Sequence, residues 1–272
     1  MTQLTISSQL QVMGVVNTTP DSFSDGGKYD ALEKALDGAR EMIAAGVDII
    51  DIGGESTRPG SLAVDSEQEL ARTVPLIQAI REFSDVPISI DTSKSEVMRA
   101  AVEAGANIIN DIWALRLGDS LAVAAELSVP VCLMHMQGTP ETMQQQPAYD
   151  DVVVEVMAFL RERIDAALGA GIDPGKIMVD PGFGFGKTLE HNLLLLRSLP
   201  EFQKLGVPVL VGMSRKGMIG AILDKPADQR LYGSLSVAVM AAMLGADILR
   251  VHDVAETVDA LAMVRALREV KQ

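Results

Sequence analysis

The chain has 272 residues and a formal net charge of −14, an acidity that repels nucleic acid and anionic membranes, and its length suits one large barrel or two small domains. Aromatic residues make up only 4%, so the core must be aliphatic. One cysteine, Cys132, excludes an internal disulfide and fits a reducing cytoplasm.

The N-terminal stretch has no basic segment followed by a long apolar run, and no span of ~18 apolar residues follows. A cytoplasmic protein is expected. From there one alternation repeats: a short apolar run stops at polar residues, a helical pattern follows, then a turn. The runs are Val12–Val16, Asp48–Ile52, Pro87–Ile90, Asn107–Ile109, Val131–Met134, Ile177–Val179, Val207–Val211 and Asp247–Val251. Continuous apolar runs of this length suit strands buried on both faces, as in parallel sheets. Gly46, Gly105, Gly171 and Gly245 precede four of them, where a left-handed residue closes the preceding helix.

Between the runs lie helical stripes. Asp65 to Phe83 carries Leu70, Val74, Ile77 and Ile80, with an Asp65–Gln68 capping box and a kink expected at Pro75. Tyr149 to Leu168 and Val254 to Val270 carry apolar residues at the same spacing. Eight runs with intervening helices predict one (β/α)8 barrel domain over 1–272, a fold of typically about 250 residues. A doubly wound open sheet is the alternative, disfavoured because no Gly-x-Gly-x-x-Gly follows the first run.

In such barrels the chemistry sits where strands end. Here every run ends in polar or glycine-rich residues. Asp91, Asn110 and Asp180 are acceptors or amides, suited to reading the edge of a flat heterocycle. Arg58, Lys216, Arg250 and His252 are donors suited to a diphosphate, and Ser214-Arg215-Lys216 opens a helix whose N–H groups favour an anion. Asn17 offers a hard oxygen suited to Mg²⁺. The Asn17–Tyr29 and Ser56–Val64 loops are rich in Gly, Ser, Thr and Pro and are expected to close over substrate. Asp51 is read as a supporting residue inside the mouth, Lys94 and Lys187 as rim charges or helix-cap groups, and His191 as a surface residue.

Five segments carry a family resemblance: Asn17-Thr18-Thr19-Pro20-Asp21-Ser22-Phe23-Ser24-Asp25, Asp51-Ile52-Gly53-Gly54-Glu55-Ser56-Thr57-Arg58-Pro59-Gly60, Asp180-Pro181-Gly182-Phe183-Gly184-Phe185-Gly186-Lys187, Ser214-Arg215-Lys216 and Arg250-Val251-His252-Asp253. From Val12 onward the chain resembles the dihydropteroate synthases of folate biosynthesis, the sulfonamide targets. The resemblance implies a transferase that joins (7,8-dihydropterin-6-yl)methyl diphosphate to 4-aminobenzoate, with Mg²⁺ on Asn17 and an SN1-like path. It implies Asp91, Asn110, Asp180 and Lys216 around the pterin, with Met134 and Gly212 lining the pit. Thr57, Arg58, Ser214, Arg250 and His252 would meet the diphosphate side. Phe185, Lys216 and the Arg58-Pro59 turn would border the aminobenzoate site. Asp91, Asp180, Lys216, Arg250 and His252 are the expected catalytic set. A homodimer through the late helices is also implied.

Gly217 departs from a frequent pattern of Ser or Arg after Ser214-Arg215-Lys216. The alternative is a pterin-binding methyltransferase of the same superfamily, which should lack the diphosphate-handling segments. A zinc hydrolase needs clustered histidines, and His135, His191 and His252 are widely spaced. A Schiff-base aldolase would use Lys216 as nucleophile.

Overall fold

The computed structural model describes residues 10–18, 28–56, 61 and 63–270. The chain alternates eight parallel strands with helices. The strands are β1 (Gln11–Asn17), β2 (Ile49–Gly53), β3 (Ile88–Asp91), β4 (Ile108–Asp111), β5 (Val131–Met134), β6 (Ile177–Asp180), β7 (Leu210–Val211) and β8 (Ile248–Val251). Each coincides with an expected apolar run. The order is β6-β5-β4-β3-β2-β1-β8-β7. The two ends meet through a parallel bridge between Val179 and Val209, so the sheet closes as the barrel expected. β7 is shorter than its apolar run: Pro208 has no N–H for the ladder, and the Val209 N–H donates to the Asp247 carboxylate.

The helices are α1 (Lys28–Ala44), α2 (Ser66–Arg81), α3 (Ser95–Ala104), α4 (Ser120–Leu127), α5 (Val152–Gly169), α6 (Leu189–Arg197), α7 (Leu199–Phe202), α8 (Gly217–Leu223), α9 (Leu231–Met243) and α10 (Val254–Glu269). Gly105 closes α3 in the left-handed region at φ 118°, as its position predicts. In α2 the Asp65 carboxylate accepts from Gln68 N at 2.8 Å and also from the Gln68 side chain. The reciprocal half of the expected box is therefore replaced by a side-chain pair. Pro75 is exposed, and α2 is assigned as one continuous helix through it.

Strand side chains alternate faces. One set packs outward against the helices and forms the main core with residues such as Ile50, Ile52, Ile90, Ile109 and Val179. The other set points into the barrel, where Met13, Ile49, Ile108, Cys132, Met178, Leu210 and Ile248 form an apolar plug. Two residues further along these seven strands the same parity reaches the mouth at Val15, Asp51, Asn110, Met134, Asp180, Gly212 and Arg250, and on β3 it carries Ser89 and then Asp91. The plug is thus the base on which the polar mouth stands.

Candidate active site at the barrel mouth

Register places polar residues side by side. Asn17 pairs with Gly53, Gly53 with Asp91, and Asp91 with Asn110, one row across β1 to β4. Gly53 has no side chain, so the mouth stays open between Asn17 and Asp91. A Cβ there would lie 3.7 Å from Asn17 Oδ1 and 3.8 Å from Asp91 Oδ2. Met134 and Asp180 are paired on β5 and β6. Gly212 lies opposite, where a Cβ would sit 3.7 Å from Arg250 and 4.0 Å from Asp180 Oδ2.

Arg250 ties the row together. Its Nε donates to Asp51 Oδ2 at 2.7 Å and its Nη2 to Asp91 Oδ2 at 2.8 Å. Asp51 is fully buried, and its other oxygen accepts from Asn110 Nδ2 at 3.4 Å. Burial works against the Arg250 charge, but Asp51 and Asp91 outweigh it and raise its pKa. Burial pushes the Asp91 carboxyl up, with Arg250 pulling it back and Asp51, Glu69 and Asp111 adding to the rise. Asp180 is also raised by burial, opposed by Lys216 and by the Gly182 N–H, which it accepts at 2.7 Å. Cys132 lies beneath these groups; burial and then the charges of Asp180, Asp51 and Asp91 push its thiol well up, which fits a structural thiol.

Lys216 caps the start of α8 and donates to Phe183 O, with Nζ 4.7 Å from the centre of the Phe185 ring. Burial lowers its pKa to about 8, although Asp180 and Asp91 favour the charge. Phe185 packs with Met134, Met136, Met143 and Ile112 in a small apolar cluster that also holds Trp113. His252 Nδ1 lies 3.1 Å from Ser214 Oγ, which joins the β7 and β8 exits. Arg215 turns away: its guanidinium pairs with Asp253, and its backbone sits in the left-handed region at φ 57°. Thr57, Arg58 and Pro59 lie outside the described residues, as does much of both expected closing loops.

One residue departs from its expected place. Lys187 is not a rim charge: it is buried, and its Nζ meets Gly182 O, Phe185 O and His135 Nδ1. Burial pulls it down to about 7. Lys94 stands at the N-cap position of α3, as expected, but its side chain makes no capping hydrogen bond. It bridges Glu55 to the fully buried Glu69 beside Asp91. His191 lies partly exposed at the start of α6, as expected, where it completes a capping box with Thr188. A cavity of about 370 Å³ opens beside Asp91, with Glu55, Thr92, Ile112 and Trp113 among its lining. Asp51 holds the supporting place expected of it, whereas nothing in the sequence singles out Glu55, whose partner Lys94 lies 39 residues away.

Among the described residues no three His, Cys, Asp or Glu side chains converge on a metal-sized site. The donors instead form an anionic and amide row (Asn17, Asp91, Asn110, Asp180) facing cationic groups (Lys216, Arg250) over an apolar base. Such a pit can take a flat, donor-rich heterocycle that carries an anionic tail.

Comparison with known proteins agrees with this chemistry. Residues 13–252 match the family described as pterin binding enzyme. The dihydropteroate synthase of Escherichia coli (strain K12) is 53% identical over 265 residues, covering 97% of this chain and 94% of that protein. A Yersinia pestis dihydropteroate synthase in complex with a sulfonamide drug superimposes with a TM-score of 0.93 at 50% identity, over 97% of this chain and 96% of that one. A Xanthomonas albilineans dihydropteroate synthase with 4-aminobenzoic acid gives 0.92 at 51% identity, over 97% and 94%.

Proposed function

The chain belongs to the dihydropteroate synthase family of pterin-binding enzymes, and from that premise we infer how its barrel mouth divides the work. It is a transferase that condenses (7,8-dihydropterin-6-yl)methyl diphosphate with 4-aminobenzoate to give 7,8-dihydropteroate and diphosphate. The methyltransferase alternative is set aside by relatives that are synthases at half identity over nearly the whole chain.

In this reading Asp91, Asn110 and Asp180 hold the pterin edge, with Met134 and Gly212 along the ring. One observation carries the assignment: five strand ends, β3 to β7, bring these groups and Lys216 to one mouth above a single apolar plug. The bond between the pterin-borne methylene and the diphosphate oxygen breaks, and its electron pair leaves on oxygen. The pterin ring shares the positive charge left behind, an SN1-like path. The arylamine lone pair then forms the C–N bond, and its surplus proton passes to solvent. Arg250, His252 and Ser214, with Thr57 and Arg58, meet the diphosphate. Phe185, Lys216 and Pro59 border the aminobenzoate, the place a sulfonamide would contest.

The donor set fits Mg²⁺. Asn17 Oδ1 faces the mouth across Gly53, and this cation takes few protein ligands, leaving its other positions to water and substrate oxygens. When bound it would neutralise charge on the departing diphosphate.

Three coarser readings complete the proposal. The chain is one pterin-binding barrel domain. It works in the cytoplasm; none of its described helices is long and apolar enough to cross a membrane, and its lone thiol is buried. It pairs as a homodimer through the late helices, where Tyr232, Met240, Met243, Met263 and Leu267 are exposed on α9 and α10. Diphosphate release from the pterin substrate, dependent on 4-aminobenzoate, tests the reaction; release that ignores the arylamine would refute it.

A further inference from the structure

The glycine-rich turn after β6 is built around a buried cation. Lys187 is only 3% exposed, and the partners of its Nζ are uncharged: Gly182 O at 2.9 Å, Phe185 O at 3.0 Å and His135 Nδ1 at 2.9 Å. Burying an ammonium against such partners is costly, so the arrangement needs a reason. Burial brings Lys187 down to about 7, and burial together with the Lys187 charge holds His135 down at about 2, so the ring is neutral. In either protonation state Lys187 keeps N–H groups for both carbonyls. As a neutral amine it donates to them and accepts from the ring.

The rest of the turn is fastened as well. Asn192 accepts from Gly184 N at 2.8 Å, and the Tyr149 hydroxyl donates to Gly186 O at 2.8 Å. Gly182 and Gly186 approach the β5 exit so closely that a Cβ would lie 1.8 Å from His135 O and 2.6 Å from Gln137 O. The two carbonyls that Lys187 draws inward flank Phe183. Their direction fixes what the turn presents to the mouth: Gly182 N to Asp180, Phe183 O to the Lys216 ammonium, and the Phe185 ring against Lys216 Nζ.

We propose that Lys187 is a positioning residue for the condensation: by gathering the Gly182 and Phe185 carbonyls it shapes the turn that aims Asp180 and Lys216, without touching either substrate. The inference rests on the assignment of Asp180 and Lys216 to the substrate site.

Lys187→Met keeps the stem and removes the donors, leaving two buried carbonyls unpaired. The expected result is a folded barrel whose kcat/KM falls roughly 10- to 100-fold. A merely structural contribution would also lower activity, so a double-mutant cycle with Lys216→Ala is the deciding measurement. If Lys187 acts through Lys216, its loss shrinks at least about threefold in the Lys216→Ala background. Losses that simply multiply, or a Lys187→Met enzyme within about twofold of the parent, would overturn the inference. Where Lys187→Met fails to fold, Lys187→Gln keeps an amide donor and carries the same cycle with the same two outcomes. An unchanged kcat/KM for Lys216→Ala sinks the site assignment itself; an intact Lys216 effect beside a silent Lys187→Met sinks only the role of Lys187.

Discussion

Asp51 and Arg250 stand 199 residues apart in the chain and are joined at 2.7 Å inside the barrel mouth. The carboxylate on β2 holds the guanidinium on β8, and its second oxygen receives the Asn110 amide. Asp51 therefore orients one group assigned to the diphosphate and one assigned to the pterin. Asp51→Asn keeps the shape and removes the charge from a buried ion pair, a change of about 3–5 kcal/mol when one partner is left alone. Asp91 still faces Arg250, so the lower part of that range applies here. We expect kcat/KM to fall by about 100-fold with the fold retained in a thermal melt. A variant of normal efficiency would show that Arg250 needs no second anchor.

Asp180 is held by a different contact. Gly182 N donates to Oδ1 at 2.7 Å, which leaves Oδ2 toward Gly212 and the mouth. Asp180→Ala removes an acceptor that a pterin edge would pair with in a buried setting, and unpaired buried donors cost about 1–3 kcal/mol each. Calorimetric titration with the pterin diphosphate should show binding weakened at least about 100-fold, since two donors lose their partner. Near-normal affinity would remove Asp180 from the pit.

Much of this was readable from the chain. The eight strands were legible because parallel strands buried on both faces are short apolar runs, and each ends at a polar residue that breaks the run. The positions of Asp91, Asn110 and Asp180 at the strand ends were legible for the same reason. Lys187 was not. It follows a glycine-rich stretch that reads as solvent-exposed, and only the closeness of Gly182 to His135 O shows the turn pressed inward. The partners of Lys94 were not legible either, because Glu55 and Glu69 are 39 and 25 residues away. The ends of the helical stripes also misled: Leu168 and Leu267 sit at apolar spacing yet are exposed in the last turns of α5 and α10.

Lys216 gives the site a pH signature. Burial lowers its pKa to about 8. Below that pH the group is an ammonium; above it the charge that faces the Asp180 side and an anionic substrate is lost. The pH profile of kcat/KM, which reports the free enzyme, should therefore fall on its alkaline side near pH 8. Lys187 titrates near 7 but keeps its two carbonyl donors in either state, so it should not impose the limb. Lys216→Arg keeps its charge throughout this range. Whatever its absolute rate, its alkaline limb should disappear; a limb unchanged near pH 8 would assign it to another group.

Gly217 is the position where the chain departs from the Ser or Arg expected after Ser214-Arg215-Lys216. It opens α8 directly after Lys216, and a Cβ there meets nothing within 4 Å. A side chain can therefore be added without moving a neighbour. Gly217→Ser would place a hydroxyl beside the aminobenzoate border, where it can donate to the carboxylate. It would also replace the most flexible residue at a helix start, a stabilisation of a few tenths to about 1 kcal/mol. One added hydrogen bond of about 1 kcal/mol should lower the 4-aminobenzoate KM by roughly 3- to 10-fold, with the KM of the pterin diphosphate unchanged. Sulfonamide inhibition constants, measured in the same assay, should fall in parallel if the drug shares that contact. A shift in the pterin KM instead would place Gly217 on the other half of the mouth.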